Sequence, residues 1–280
     1  MAVVFAGMAA GSVIDVNTLF SYEMCSYPTA LFDEKLLLRE PTAKSQLASI
    51  IISKKPECVV HDDLPSDVVH VVDGGSLLWQ VGWKEDETFG NVCESYVNFM
   101  VKKYKSAIVV FDSYNMHQGS TKDEAHMHRM GKKVSVDIKV NDETVCDVQK
   151  KPFLDNSNNK QQFINILSNH LAEAGIDVIH SEGDADYDIA LTAYKQAENH
   201  PTIVVADDTD VFCLLLHMHH EDTQKKMFMQ MDQSHKTVSI STLKEHLEKD
   251  FLEILPALHA LSGCDSTSRP FGIGKSTYCC

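Results

Sequence analysis

Aspartates follow four separate apolar stretches of the chain. Short apolar runs rich in β-branched residues are typical of buried strands, so these carboxylates lie where predicted strands end. If the strands are parallel, their carboxyl ends meet in one crevice, which is where α/β proteins place their sites. The four stretches and their acids are residues 68–72 with Asp73, 107–111 with Asp112, 176–179 with Asp184 and Asp186, and 202–206 with Asp208 and Asp210.

Carboxylates gathered in one crevice would repel one another strongly unless cations lay between them. Hard oxygen ligands of this kind suit Mg²⁺ or Mn²⁺. Two such ions about 4 Å apart activate a water and stabilise the leaving oxygen in phosphodiester cleavage. The pattern therefore favours a hydrolytic two-metal site. For any single aspartate a plainer interpretation stays open, because Asp after a strand is often a turn residue or a helix N-cap.

Strand and helix patterns alternate from residue 67 to 216, which predicts a parallel sheet covered by helices. Asp184 and Asp188 share one face of the helix that follows the third strand, and Asp186 does not. Asp186 can therefore join the site only from the first turn. The other predicted elements are helices over 89–103, around 163–171 with Gly175 as its cap, and over 251–261, a hairpin of 227–231 with 237–241, and a short helix that starts at the capping box Thr242–Glu245.

Composition limits the classes of protein that the chain can belong to. Its 280 residues, 44% hydrophobic and 23% charged, are typical of a soluble globular protein, and no apolar run approaches the ~18 residues of a membrane span. The N-terminus lacks the basic region of a signal peptide, and eight cysteines without a CxxC pair favour reduced thiols. We therefore expect an intracellular protein of the nucleus or cytoplasm. The net charge of −15 argues against a general nucleic-acid-binding surface.

Two alternative sites are rejected on spacing. A structural zinc is not expected, because His126, His128, His217, His219 and His220 have no recognised zinc spacing with cysteines. A phosphate-binding P-loop at 272–276 would require glycine at position 269, where Arg269 stands, and a preceding strand.

The acidic motifs, in their order along the chain, resemble those of the flap-endonuclease family of PIN-like nucleases, to which the Asteroid proteins are similar. The resemblance runs from about residue 67 to 278. It implies an α/β, PIN-like three-layer fold with a central, mostly parallel sheet, followed by a partial helical helix-two-turn-helix module. The motifs that carry it are Val71-Val72-Asp73, Val110-Phe111-Asp112, Glu182-Gly183-Asp184-Ala185-Asp186, Asp208-Thr209-Asp210 and Ser262-Gly263-Cys264-Asp265.

The resemblance also implies roles for particular residues. Glu182 and Asp207 would support the ligands. Lys122 and Arg129 would lie on a helical gateway over the scissile phosphate, although a solvated charged loop is an equally open interpretation. Gly272, Gly274 and Lys275 would offer backbone amides and charge to a DNA phosphate, although an ordinary turn between helices stays open. The implied ligands of the first metal ion are Asp73, Asp112, Asp184 and Asp186, and those of the second are Asp208, Asp210 and Asp265.

We therefore predict an N-terminal extension (1–60) packing on a nuclease core (61–250) with an insertion near 113–160. An incomplete helix-two-turn-helix-like segment (251–280) follows, and we interpret the chain as truncated there. The predicted function is divalent-metal-dependent hydrolysis of phosphodiester bonds at flaps, 5′ ends or junctions of DNA or RNA, with DNA favoured over RNA, by a monomer with two Mg²⁺ or Mn²⁺ ions. The alternative is an inactive PIN-like scaffold, or a mobile-element-derived fragment, that binds nucleic acid or protein.

Overall fold

The structure is a computed structural model. It describes residues 32–37, 39, 45–61, 64–84, 86–113, 136–218, 226–232, 236–264, 267 and 275. The predicted site residues outside these ranges are Lys122, Arg129, Asp265, Gly272 and Gly274, and the histidines considered for zinc that also lie outside are His126, His128, His219 and His220.

Helices and strands alternate along the described part of the chain. The helices are α1 Gln46–Lys54, α2 Gly74–Gln80, α3 Phe89–Lys103, α4 Lys150–Asp155, α5 Ser157–Glu173, α6 Ala185–Ala197, α7 Thr209–His217, α8 Ile240–His246 and α9 Lys249–Leu261. The strands are β1 Val59–Val60, β2 Val69–Asp73, β3 Ala107–Phe111, β4 Asp177–His180, β5 Thr202–Val205, β6 Met227–Met231 and β7 Lys236–Ser239. None of the described helices is long and apolar enough to span a membrane.

The strands form one sheet in the order β1-β7-β6-β5-β2-β3-β4. The five strands from β6 to β4 are parallel, whereas β7 is antiparallel to β6 and β1 is antiparallel to β7. This mostly parallel arrangement confirms the predicted α/β class. The antiparallel pair of β6 and β7 agrees with the predicted hairpin, although β1 and not the hairpin forms the edge of the sheet. In register, Val71 of β2 lies opposite Ile108 of β3 and Val204 of β5, so the carboxyl ends of these strands finish close together.

Helices cover both faces of the sheet and give the fold three layers. Successive strand residues point to opposite faces, so Val71 belongs to one hydrophobic core and Val72 to the other. The first core is closed by α1, α6, α7, α8 and α9, and the second by α2, α3, α4 and α5. Because both faces are covered, the central strands are continuous apolar runs, which is the pattern that makes them recognisable in the sequence.

Two helix predictions are confirmed at their ends. Gly175 has a φ of +80° directly after the C-cap of α5, as predicted, and its N–H donates to the carbonyl of Ala172 at 3.0 Å. A left-handed residue at this position is commonly glycine because it has no Cβ to clash. Helix α9 continues through Pro256 and ends at Leu261, close to the end predicted from its apolar pattern.

The predicted N-cap of α8, Thr242, is wrong by three residues, because the N-cap is Ser239. The hydroxyl of Ser239 caps the helix by accepting the N–H of Thr242 at 3.2 Å, and the helix begins at Ile240. An earlier start buries Ile240 and Leu243, three residues apart on one face, in the first core. The strand that was expected to reach residue 241 therefore ends at Ser239.

Candidate metal centre

The strand order brings the acid-bearing strand ends together. Strands β5, β2, β3 and β4 are neighbours in that order and run parallel, so their carboxyl ends open into one crevice. Asp73 is the last residue of β2, and Asp112 follows β3 directly. Asp184 and Asp208 start the helices that follow β4 and β5. All four predicted strand ends thus contribute an acid to one edge of the sheet.

Three of these aspartates are helix N-caps. Asp73 and Asp208 each accept the backbone N–H two residues further on, at 2.8 and 2.9 Å, and Asp184 does so at 3.4 Å. The plainer interpretation is therefore correct for these three residues. It does not exclude a second role, because an ionised carboxylate has about four lone-pair sites and a cap uses one. The caps hold the carboxylates at the positive ends of helix dipoles, which favour negative charge.

Asp112 is fixed by a different helix from the one that follows its strand. Its Oδ1 accepts the backbone N–H of Ala185, the first residue of α6, at 2.6 Å. Because β3 pairs with β4, the helix that follows β4 starts beside the end of β3. This bond ties the two strand ends together and places the first turn of α6 in the crevice.

Three carboxylates converge at the starts of two helices. Asp186, Asp208 and Asp210 each offer one oxygen, and these oxygens lie within 4.8 Å of one another. Asp186 joins from the first turn of α6, which is where helix geometry requires it to be. Three partly buried negative charges at this separation repel strongly. Because hard oxygen donors are what Mg²⁺ and Mn²⁺ prefer, the residues fit a divalent cation.

The pKa of Asp73 depends on its burial and on the charges of neighbouring aspartates. Its pKa is raised to about 6, mainly by burial, and the charges of Asp112 and Asp208 add to the rise. Hydrogen bonds from the backbone of Ser76 and Gly75 work in the opposite direction. Asp73 at the end of β2 therefore interacts with the acid that follows β3 and with the acid that follows β5, as expected from the strand order.

Lys160, in the first part of α5, is a cation that interacts with the same carboxylates. Burial lowers the pKa of its ammonium, while the charges of Asp112, Asp73 and Asp155 raise it. Lys160 therefore offsets part of the negative charge at the β2 and β3 end of the crevice. Lys160 could not be identified from the sequence, because one lysine in the polar first turns of a helix does not indicate which groups lie opposite it.

A buried histidine contacts the converging carboxylates. Nε2 of His259 is hydrogen-bonded to Oδ1 of Asp210, and Nζ of Lys275 lies 2.9 Å from Nδ1 of the same imidazole. Only 6% of His259 and 3% of Lys275 is exposed. His259 is not among the residues predicted from the sequence, although a histidine within the apolar stretch of α9 was an available signal. Lys275 was predicted to contact a DNA phosphate, and its ammonium here faces His259.

The other acids near the strand ends lie apart from the three converging carboxylates. Asp188 is hydrogen-bonded to the hydroxyl of Ser181, so it serves the loop between β4 and α6. Glu182 and Asp184 are exposed, whereas Asp207 is partly buried beside the cap of α7. Asp265, the seventh predicted ligand, lies outside the described residues.

No protein-family model and no curated protein sequence matches the chain. Several solved structures are partly similar in fold. Their identities to this chain are below 20% and their TM-scores below 0.5, so neither a family nor an activity of this chain follows from them. The bacteriophage T5 D15 flap endonuclease, in a pseudo-enzyme-product complex with DNA and metal ions, is 17% identical over 75% of this chain and 72% of its own, with a TM-score of 0.45. T5 5′-exonuclease with bound zinc is 16% identical over 74% and 72%, with a TM-score of 0.42. The catalytic core of Rad2 with a DNA substrate is 17% identical over 76% and 61%, with a TM-score of 0.44.

Gly74, the first residue of α2, lies against the ring of Phe111 at the end of β3. A Cβ added at Gly74 would overlap the ring of Phe111, which is fully buried. We therefore expect Gly74→Ala to lower the free energy of unfolding by about 1–3 kcal/mol, the usual cost of overpacking a core. Urea denaturation measures this, with Gly82→Ala as the control, since a Cβ at Gly82 meets no atom within 4 Å. Equal stability of the two variants would contradict the close packing of α2 on β3.

Proposed function

We propose that this protein is a divalent-metal-dependent nuclease that hydrolyses phosphodiester bonds in DNA. The observation that carries the proposal is the convergence of Asp186, Asp208 and Asp210 at the carboxyl ends of the parallel strands. Asp73 and Asp112 extend the same crevice, with Lys160 as the cation beside them. Carboxylates that come from separate elements to one partly buried point are well suited to hold hard divalent cations.

The proposed site holds two Mg²⁺ or Mn²⁺ ions. One set of ligands is Asp73, Asp112, Asp184 and Asp186, and the other is Asp208, Asp210 and Asp265. In support, the oxygen of Asp186, from the first set, lies within 4.8 Å of those of Asp208 and Asp210, from the second. Bound ions would neutralise the phosphodiester charge and activate the attacking water.

The protein's own groups would orient the reacting centre. The carboxylates are fixed by their caps and by the bond from Ala185 to Asp112, so they need little rearrangement when cations bind. The N-termini of α2, α6 and α7 lie at this edge of the sheet, where their backbone N–H groups favour anions. The ammonium of Lys160 adds a fixed positive charge near Asp112.

The finer part of the proposal concerns the substrate. We propose cleavage at flaps, 5′ ends or junctions by a monomer acting inside the cell. Lys122 and Arg129 would contact the scissile phosphate, and Gly272 and Gly274 would offer backbone amides to the duplex. Lys275 was predicted to join them, but it is buried against His259 and is left out of the proposed DNA contact. The net charge of −15 supports local rather than general contact with DNA, since a broadly acidic surface repels phosphates.

The test is cleavage of labelled flap, hairpin, duplex and single-stranded DNA and RNA by the purified chain. We expect cutting with Mg²⁺ or Mn²⁺ and none with excess EDTA. Asp208→Asn protein purified in parallel excludes a contaminating nuclease, because a contaminant would cut in both samples. A folded protein that binds Mn²⁺ and cuts none of these substrates would favour the alternative, an inactive scaffold or mobile-element-derived fragment. Faster cutting of RNA than of DNA would overturn the substrate class.

A further inference from the structure

His259 reaches the acidic centre from α9, an element that contributes none of the three converging carboxylates. Helix α9 packs on α7, and the imidazole is almost fully buried between α9 and the start of α7. Its Nε2 is bonded to Oδ1 of Asp210. A buried imidazole that bonds a carboxylate restricts the rotation of that carboxylate, because breaking the bond would leave a polar group unsatisfied in the core.

The second ring nitrogen determines which nitrogen carries the proton. Nζ of Lys275 lies 2.9 Å from Nδ1 of His259, and a lysine ammonium can only donate. Nδ1 is therefore the acceptor, and Nε2 carries the hydrogen that is donated to Asp210. The order of donors is therefore Lys275 to His259 to Asp210.

The end of α9 is held in place beside this chain of bonds. The hydroxyl of Ser262 donates to the carbonyl of His259 at 3.1 Å, and that of Thr267 donates to the carbonyl of Ala260 at 2.6 Å. Thr267 also accepts the N–H of Cys264 at 3.2 Å. These bonds satisfy carbonyls that the last turn of a helix otherwise leaves open, so the backbone that carries His259 is fixed.

We propose that His259 is a positioning residue of the metal centre, orienting Asp210 through Nε2–H while Lys275 fixes the imidazole tautomer. The inference rests on the proposed function, because Asp210 needs a fixed orientation if it binds a metal ion. Groups that hydrogen-bond metal ligands orient them and adjust their basicity, and changing such groups weakens metal affinity by about 10–100-fold. Lys275, which the sequence suggested as a DNA contact, acts here through His259.

A purely structural role is the competing explanation, since a buried histidine and lysine also have to be hydrogen-bonded for the fold to be stable. The two roles differ in which substitution at position 259 should preserve Mn²⁺ binding. Glutamine can place an amide N–H near the position of Nε2, whereas leucine fills the space without a donor. Positioning requires the donor, and packing requires only the volume.

The experiment titrates the metal-free protein with Mn²⁺ alone, followed by electron paramagnetic resonance of the free ion. We expect His259→Leu to weaken Mn²⁺ binding by about 10–100-fold and His259→Gln to restore most of the affinity. Lys275→Met should fall between the wild type and His259→Leu, because the imidazole stays but its tautomer is no longer fixed. His246→Gln is the matched control, since His246 is exposed on α8 and bonds only its own helix among the contacts described.

His259→Leu leaves the Lys275 ammonium without its imidazole acceptor and can fail to fold for that reason. The double variant with Lys275→Met removes both polar groups together, which is tolerated better than removing one. We expect the double variant to fold, by circular dichroism, and still to bind Mn²⁺ weakly. Wild-type affinity in the folded double variant, or equal weakening by leucine and glutamine at position 259, would overturn the positioning role.

The outcomes separate this inference from the proposed function. Wild-type protein that binds Mn²⁺ but cuts no nucleic acid refutes the nuclease while the effect of His259 on affinity still stands. Wild-type protein that cuts and is matched by both position-259 variants refutes the positioning role alone. A wild type that binds no Mn²⁺ overturns both.

Discussion

Changing Asp208 to asparagine should abolish Mn²⁺ binding at the three converging carboxylates and lower metal-dependent cleavage by more than about 100-fold. Removing a partner of a metal ligand already costs about 10–100-fold, so removing a ligand charge should cost more. The amide oxygen can still accept the N–H of Asp210, because asparagine is as good an N-cap as aspartate. The fold should therefore survive, and the change in binding can be read without a change in structure.

The measurements are Mn²⁺ titration by electron paramagnetic resonance, single-turnover cleavage and circular dichroism on the same preparation. Asp250→Asn is the matched control, since Asp250 also lies in the first turn of a helix but is exposed on α9. It changes the net charge by the same amount and should leave metal binding unaltered. Similar losses in both variants would point to overall charge rather than to the site, and unchanged Mn²⁺ binding in Asp208→Asn would remove Asp208 from the ligands.

The acids at the strand ends could be predicted because their positions depend on local sequence. A strand that is buried on both faces must be a continuous apolar run, so the first acid after the run marks where the chain leaves the sheet. Asp73 and Asp112 follow this rule at the ends of β2 and β3. Helix geometry alone also required Asp186 to enter from the first turn of α6, and it does so.

The partners of these acids could not be predicted, because they depend on contacts between distant parts of the chain. Lys160 meets the charges of Asp73 and Asp112 only because α5 packs beside β4. His259 meets Asp210 across 49 residues of sequence, through the packing of α9 on α7. The prediction of the start of α8 was wrong for a different reason. Ser239 and Thr242 are both good caps, and core burial of Ile240 decides between them.

Caps and metal ligands are usually weighed as alternatives for an aspartate, and in this crevice they reinforce each other. A cap uses one lone pair and fixes the side-chain rotamer, which leaves the carboxylate pointing out of the helix start. Asp73 at the end of β2 and Asp208 after the end of β5 are fixed in this way, and the two strands are adjacent. The helix dipoles offset part of the repulsion, and a bound cation offsets the rest. The metal-free protein should therefore be destabilised by its own site.

Asp73→Asn should make that destabilisation measurable as a gain in stability of the metal-free protein. The pKa of Asp73 in the folded state is raised to about 6 from 3.8, so the folded state holds a proton between these values that the unfolded state releases. The free energy of unfolding therefore falls as pH rises from about 4 to about 6 and stays lower above that. Asparagine stays neutral and keeps the cap, so at pH 7.5 the variant should be more stable by about 1–3 kcal/mol.

Thermal unfolding in EDTA across pH 4–8 measures the effect, at roughly 2–4 °C per kcal/mol for a chain of this size. The gain of the Asp73→Asn variant should shrink as the pH falls toward 4 and vanish only below both pKa values, where the wild-type carboxyl is protonated in both states. Asp232→Asn should instead lower the stability of the metal-free protein, because Asp232 has a cationic partner in Lys103, 3.0 Å away. Mn²⁺ should then raise the melting temperature of the wild type more than that of Asp73→Asn, since only the wild type keeps the charge that a cation relieves. The prediction would be contradicted if Asp73→Asn lost stability relative to wild type between pH 4 and pH 7.5. The Asp73 carboxylate would then have a cationic partner within the protein, and its charge would stabilise the fold rather than bind a metal ion.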